Sequence, residues 1–366
     1  MEPLVFEVKK DPAGEPEVEV RDPVEEYEIA NQEMDDSKYE AAATRFRRVA
    51  QLIPGTERAH VAQFNAGLCW EYARKPEEAV KDYQAVLESA RDDKEETKIR
   101  FRLVNVLEQT ESWTALYDNL MKLESKKLKH LDRMSVLTRI GTAILEMERY
   151  DDAEPWLDRA VDFWKEHQDL ALIRTGAHIA QAQFGLARIY EHRFLAQKLR
   201  LPIEQMEKDL IAKWRLLVAT QNMCLEVVHR GNVKYGLKAG LKVGQIYELF
   251  YDSLMDAEVP PELDEEQRAV YFDELRKKIR PYLFEAFEIY RTNLRVAMRK
   301  GHTGEVMVAT KNAMDKLRKR IEQDLQEDLR GPPDFTYRAR LSKQDHEDQK
   351  GRKIKSAIKV VLQDRV

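Results

Sequence analysis

Glycine and proline are scarce in this chain of 366 residues, 14 and 13 in number. Ala, Leu, Glu, Lys, Arg and Gln dominate instead, and these lose least on entering a helix. Cysteine is scarcer still. Cys69 and Cys224 lie far apart inside apolar helical patterns, which suits two buried thiols better than a bridge and identifies no compartment. No apolar run approaches the roughly 20 residues of a membrane span; Leu216-Leu217-Val218-Ala219 is typical of the longest. The first thirty residues are acidic rather than basic and then apolar, so the sequence reads without an export leader or a lipid-accepting cysteine; if Met1 is an engineered start, a removed leader is still compatible with it. Neither sign of charge is in large excess. Lys and Arg number 61 against 66 Asp and Glu, a formal net charge of −5, so no global field draws the chain to nucleic acid.

Chemical motifs are missing too. Neither a Walker loop nor a dinucleotide fingerprint occurs, so no nucleotide cofactor is expected. The eight histidines, His60, His130, His167, His178, His192, His229, His302 and His346, contain no i,i+4 ligand pair and no nearby cysteine pair, so no metal is expected. No Ser or Cys sits in a nucleophile elbow. Adjacent acids such as Glu77-Glu78 point about 100° apart on a helix and share no site. The basic run Arg318-Lys319-Arg320 is followed by Glu322, Asp324, Glu327 and Asp328, which neutralise it. Catalysis has no candidate residue, and the reading is non-enzymatic.

What remains is a helical, highly charged chain. Apolar residues make up 43 % and charged residues 35 %, which excludes both disorder throughout and a single sphere-like core. The sequence also repeats. Tyr39, Pro76, Trp113 and Tyr150 are spaced at 37, as are Ala42, Ala79, Leu116 and Ala153. The same step links Phe46, Tyr83, Leu120 and Leu157, then Val49, Val86, Leu123 and Ala160. Within each copy these positions fall on one helical face, preceded by a turn such as Arg74-Lys75-Pro76. Upstream, a second helix carries Ala66, Gly67 and Trp70 in one copy and Ile140, Gly141 and Ile144 in another. Small residues on both helices let them approach closely, so each copy is a helical hairpin.

This pattern resembles the tetratricopeptide repeat, in which a large residue, a small Gly or Ala and an aromatic mark the first helix, and Tyr, Ala, aromatic and Ala the second. Pro54 matches that family's terminal proline. The copies are about one turn longer than the family's usual unit, and Gln63 and Leu137 replace its early Trp. The resemblance implies an all-α solenoid of stacked antiparallel hairpins. Expected boundaries are an acidic extended arm over 1–22, four repeats over 23–170, longer irregular hairpins over 171–303, a capping helix over 304–331 and a basic tail over 332–366.

Beyond residue 170 the period lapses while the residue types persist. Ala182, Phe184, Leu186, Ala187 and Tyr190 mark a further first helix. After Leu201-Pro202 comes a stripe of Met206, Leu210, Trp214, Leu217, Cys224 and Val228. Gly240, Leu241, Gly244 and Tyr247 mark another helix, and Tyr271, Leu275, Ile279, Leu283, Phe287, Tyr290 and Leu294 follow the turn Val259-Pro260-Pro261. With Arg193-Phe194, Lys198-Leu199, Pro261-Glu262-Leu263, Pro281, Ala286 and Gly301, this half resembles tetratricopeptide proteins of delta-proteobacterial envelopes, gliding-motility machinery included. The likeness implies an assembly scaffold, placed in the periplasm or envelope if a leader was removed and in the cytoplasm otherwise.

The chain ends differ in sign. Residues 1–28 hold ten acidic and three basic residues, and Val18 and Val20 alternate with acids; short strands are one reading, an acidic lead-in the preferred one. Residues 338–366 hold nine basic and four acidic residues with Ile354, Ile358, Val360, Val361 and Leu362, read either as a segment ordered on binding or as one docking on the last helix.

Stacked hairpins leave a groove lined by first helices. Its expected lining includes Tyr27, Asn31, Asn65, Leu68, Tyr72, Lys98, Arg102, Asn105, Arg139 and Arg188. Some tetratricopeptide proteins grip a partner's C-terminal carboxylate with Lys, Asn, Asn, Lys and Arg on three first helices. In this register Asn31, Asn65, Lys98 and Arg102 occupy four of those places and Tyr27 replaces the first Lys. A carboxylate grip and an ordinary polar lining both fit these residues. The functional reading is an adaptor for protein or peptide partners within a multiprotein assembly, without nucleic acid; the alternative is a regulatory sensor for a peptide or small ligand.

Overall fold

The computed structural model describes residues 5–10, 16–174 and 176–325; the expected basic tail lies outside them. Among the described residues are fourteen helices and one two-stranded sheet. The chain is all-α apart from that sheet, with tetratricopeptide-like hairpins, and it divides into two compact units, at Arg149 and Tyr150. That division falls inside the fourth copy of the repeat, ahead of residue 170 where the period ends. Periodicity records where a pattern recurs, whereas a compact unit records where packing is dense.

In the first unit the acidic lead-in is an antiparallel hairpin, with β1 (Val5–Lys10) paired to β2 (Pro16–Arg21) and Phe6 opposite Val20. The alternation of apolar and acidic residues outweighs the acidic composition here. Seven helices follow: α1 (Pro23–Asp35), α2 (Tyr39–Leu52), α3 (Glu57–Tyr72), α4 (Pro76–Glu88), α5 (Asp93–Gln109), α6 (Trp113–Glu124) and α7 (His130–Glu146). Side chains of Asp22, Thr56 and Asp92 accept backbone N–H groups at the starts of α1, α3 and α5, satisfying donors that the helix itself cannot. Each helix packs on the next in the chain. Three of the four registers spaced at 37 are buried: Ala42, Phe46 and Val49, then Ala79, Tyr83 and Val86, then Leu116, Leu120 and Leu123, while Tyr39, Pro76 and Trp113 at the helix starts are half-buried. The turns repeat as well. Ser37, Arg74, Glu111 and Glu148 all have positive φ, between 53° and 61°, again at steps of 37. None is glycine, so each turn stores strain that the packed helices hold in place.

In the second unit α8 (Tyr150–Glu166) continues the period, with Ala153, Leu157 and Ala160 buried. A short α9 (Ala171–Arg174) leads to α10 (Ala177–Ala196), α11 (Ile203–His229), α12 (Val233–Met255), α13 (Glu265–Arg299) and α14 (Glu305–Asp324). Asp264 and Gln267 form a reciprocal capping box at the start of α13. The apolar stripe of α11 ends on buried Val227, not on the expected Val228, which is exposed. Its core centres on Phe194, Trp214 and Phe250, joined by Tyr282. Among the described residues no helix is long and apolar enough to cross a membrane.

One packing device recurs in both units. Gly67 on α3 faces Tyr83 on α4, and Gly244 on α12 faces Tyr290 on α13. Four residues beyond each glycine a glutamate, Glu71 or Glu248, accepts the tyrosine hydroxyl. Burial, with the adjoining carboxylate, pushes both phenols well above the usual tyrosine range.

Lys213, buried on α11, donates to the carbonyls of Phe194 at 2.8 Å and Gln197 at 2.7 Å, and its ammonium lies 4.2 Å over the Phe194 ring. It thereby closes the C-terminal end of α10. Burial holds its pKa down to about 8 against the usual 10.5. Between those values the unfolded chain binds the more protons, so stability rises with pH in that window. Relative to Lys213→Met, the native chain should gain about 1.4 kcal/mol per pH unit there, read from urea melts at pH 7.5, 9 and 10.5. A pH-independent difference would exclude Lys213 as the titrating group.

Candidate functional site

Alternate helices of the first unit lie side by side, as contacts between α1, α3, α5 and α7 demonstrate. Asn65 on α3 donates to the Tyr27 hydroxyl on α1 at 3.3 Å. Lys98 on α5 lies 4.5 Å over the Phe64 ring on α3. Arg139 on α7 donates to the Asn105 side chain on α5 at 2.9 Å. Six expected lining residues, Tyr27, Asn65, Lys98, Arg102, Asn105 and Arg139, therefore fall on one layer of helices.

Their partners were not legible. Arg102 pairs with Glu71 at 3.5 Å, and Arg139 pairs with Glu108 at 2.8 Å. Both acids precede their arginine by 31 residues, and the two pairs are themselves one period apart. The result is a ladder in which the guanidinium of one copy meets the carboxylate of the copy before it. Arg102 is thus not an open donor. Its single long contact to Glu71 is nevertheless weaker than the two contacts that hold Arg139 to Asn105 and Glu108.

Lys98 is the contrast. It is exposed, and among the described residues it forms no ion pair. Its ammonium rests on an aromatic face with its remaining donors toward solvent. Asn31 and Leu68 are half-buried on α1 and α3, and Tyr72 is 53 % exposed with its ring 5.2 Å from that of Tyr39. Tyr72 offers an exposed aromatic face at the end of α3, and Lys98 an exposed ammonium on α5. Arg188 lies on α10 in the second unit and borders a cleft there. Among the described residues no cluster of three His, Cys, Asp or Glu has the geometry of a metal site.

No protein-family model matches the sequence, and a comparison with curated proteins gives no match. Solved structures do. The chain is similar to pilF of Pseudomonas aeruginosa at 14 % identity, covering 63 % of this chain and 86 % of that one with a TM-score of 0.36. It is similar to a tetratricopeptide repeat protein of Parabacteroides merdae at 13 % identity, covering 79 % and 99 % with a TM-score of 0.37. A putative kinesin light chain with nearly identical tetratricopeptide-like repeats, from Podospora anserina, shares 14 % identity over 54 % and 96 % of the two chains, with a TM-score of 0.35.

Proposed function

We propose that the chain is a non-catalytic adaptor whose first unit binds a partner peptide along α1, α3, α5 and α7. The observation that carries this reading is Lys98, an exposed ammonium without an ion pair among the described residues, one helical turn from Arg102 with its single long contact to Glu71. A peptide carboxylate gains two charge-assisted partners there while displacing only a weak one. Asn65 and Asn105 flank the pair and supply amides that fix orientation, and Tyr72 offers an aromatic face. The resemblance of the second half to envelope scaffolds extends the proposal to an envelope assembly, tested by fractionating native cells.

The double substitution Lys98→Ala and Arg102→Ala should weaken capture of acidic or C-terminal peptides about ten-fold, from two lost charge-assisted bonds. Lys75→Ala, an exposed lysine paired to Glu40 on another face, serves as the control and should leave capture unchanged. Equal capture by the double variant and native chain in a calorimetric titration would remove the clamp.

A further inference from the structure

Among the described residues β1 and β2 pair with each other and with no third strand, so each is an edge with a row of backbone N–H and C=O groups turned outward. Two strands alone are marginal in water, and a third is the usual remedy. The register divides the hairpin into two unlike faces. Phe6 stands opposite Val20 and Val8 opposite Val18 on one, while Glu7 opposite Glu19 and Lys9 opposite Glu17 fall on the other. Val20 is 54 % exposed, so the apolar face reaches water. Glu7 against Glu19 sets like charges directly across the ladder, which a cation alongside would relieve. Arg21 does not serve, since Glu26 of α1 holds it at 2.9 Å.

The basic tail carries the complementary pattern. Residues 353–362 read Lys-Ile-Lys-Ser-Ala-Ile-Lys-Val-Val-Leu. At a period of two, Ile354, Ile358, Val360 and Leu362 share one side with Ser356, and Lys353, Lys355 and Lys359 share the other, with no acid among them. The β-branched residues favour a strand, and on a helix Val360 would leave the stripe of Ile354, Ile358 and Leu362. One side is therefore apolar and one basic, where β2 has one apolar and one acidic. The 27 residues between Leu325 and Lys353 reach at most roughly 90 Å when extended. Such a tether gives pairing within one chain the advantage of effective concentration over pairing between copies.

We propose that residues 353–362 add to β2 of the same chain as an antiparallel third strand, with Lys359 beside Glu19. That register sets Val360 beside Val18 and Ile358 beside Val20 on the apolar face, and places Ala357, rather than a lysine, beside Arg21. The occupied edge is then closed to strands of other chains, so the tail is a built-in cover for the hairpin. Neither the groove proposed above nor its ligand enters this inference.

Oxidation of the full chain carrying Val20→Cys and Ile358→Cys tests it. The native thiols do not compete: Cys69 and Cys224 are buried and pushed up to about 11 and about 12. A cross-link within one chain should form about ten-fold faster than in Val20→Cys with Ala357→Cys, where a shift of one residue turns the second thiol to the other face. Adding Lys359→Glu to the first pair should slow the reaction about three-fold, and Lys359→Glu together with Glu19→Lys should restore it. A product that is mainly a covalent dimer would assign the strand to a second copy and overturn the inference. Absence of a cross-link, equal rates for the two cysteine pairs, indifference to Lys359→Glu, or failure of the charge exchange to restore the rate would overturn it as well.

Discussion

Gly244→Ala is expected to destabilise the second unit by roughly 1–3 kcal/mol, although the same change in an open helix stabilises by about 1 kcal/mol. A Cβ at this position lies 2.1 Å from Cε1 of Tyr290, with Cδ1 and Cζ at 2.6 and 2.7 Å. The ring has little room to yield. Tyr290 is fully buried, and its hydroxyl donates to Glu248. Relief requires either a broken hydrogen bond or separation of α12 from α13, and both cost more than the helix propensity returns. Gly236, two turns earlier on α12, is the internal control: its Cβ meets nothing nearer than 3.9 Å, so Gly236→Ala should be neutral or stabilising. Urea melts of the two variants decide the matter. Equal stability would mean that the close approach of the helices is not what fixes glycine at 244.

Arg47→Met should have the larger effect, a loss of about 3–5 kcal/mol at neutral pH, the usual result of stripping a buried charge of its partner. The Arg47 guanidinium on α2 reaches Asp82 on α4 through two hydrogen bonds of 2.9 and 2.8 Å and adds Glu78 at 3.0 Å. Asp82 is almost wholly buried, its side chain 2 % exposed. Burial already raises its carboxyl above the usual range, and Arg47 acts against that rise. Without Arg47 the pKa climbs further. A carboxyl whose folded value exceeds its unfolded one favours the native state while protonated, and that contribution is lost as pH rises through the folded value. The deficit of the variant should therefore be greatest near pH 7 and narrow toward pH 4. Paired urea melts across that range measure it, and a deficit constant with pH would show that Asp82 is not the group left behind.

The hairpins were legible because the step of 37 marks the residues that sink between helices, Phe46, Tyr83, Leu120 and Leu157 among them. Side-chain pairing across copies was not. Nothing local to Glu71 or Glu108 announces that each will meet an arginine 31 residues on, because both read as ordinary acids on wet helical faces. The second unit hid its regularity for a different reason. Helices α12 and α13 run to 23 and 35 residues, so the spacing from Gly244 to Tyr290 no longer resembles that from Gly67 to Tyr83. The contact survives although the interval does not. The expected lining residues share that history: their helix layer followed from the repeat, whereas the engagement of Arg102 and Arg139 is set by contacts across copies that no local pattern encodes.

The packing of each helix on its chain neighbour bears on how the native state is reached. Loop closure between such partners loses little entropy, so assembly within each unit can begin at any adjacent pair and spread to either side. The strained reversals at Ser37, Arg74, Glu111 and Glu148 work against a solitary pair. Nucleation is thereby disfavoured relative to growth, and that difference sharpens the transition between coil and finished stack.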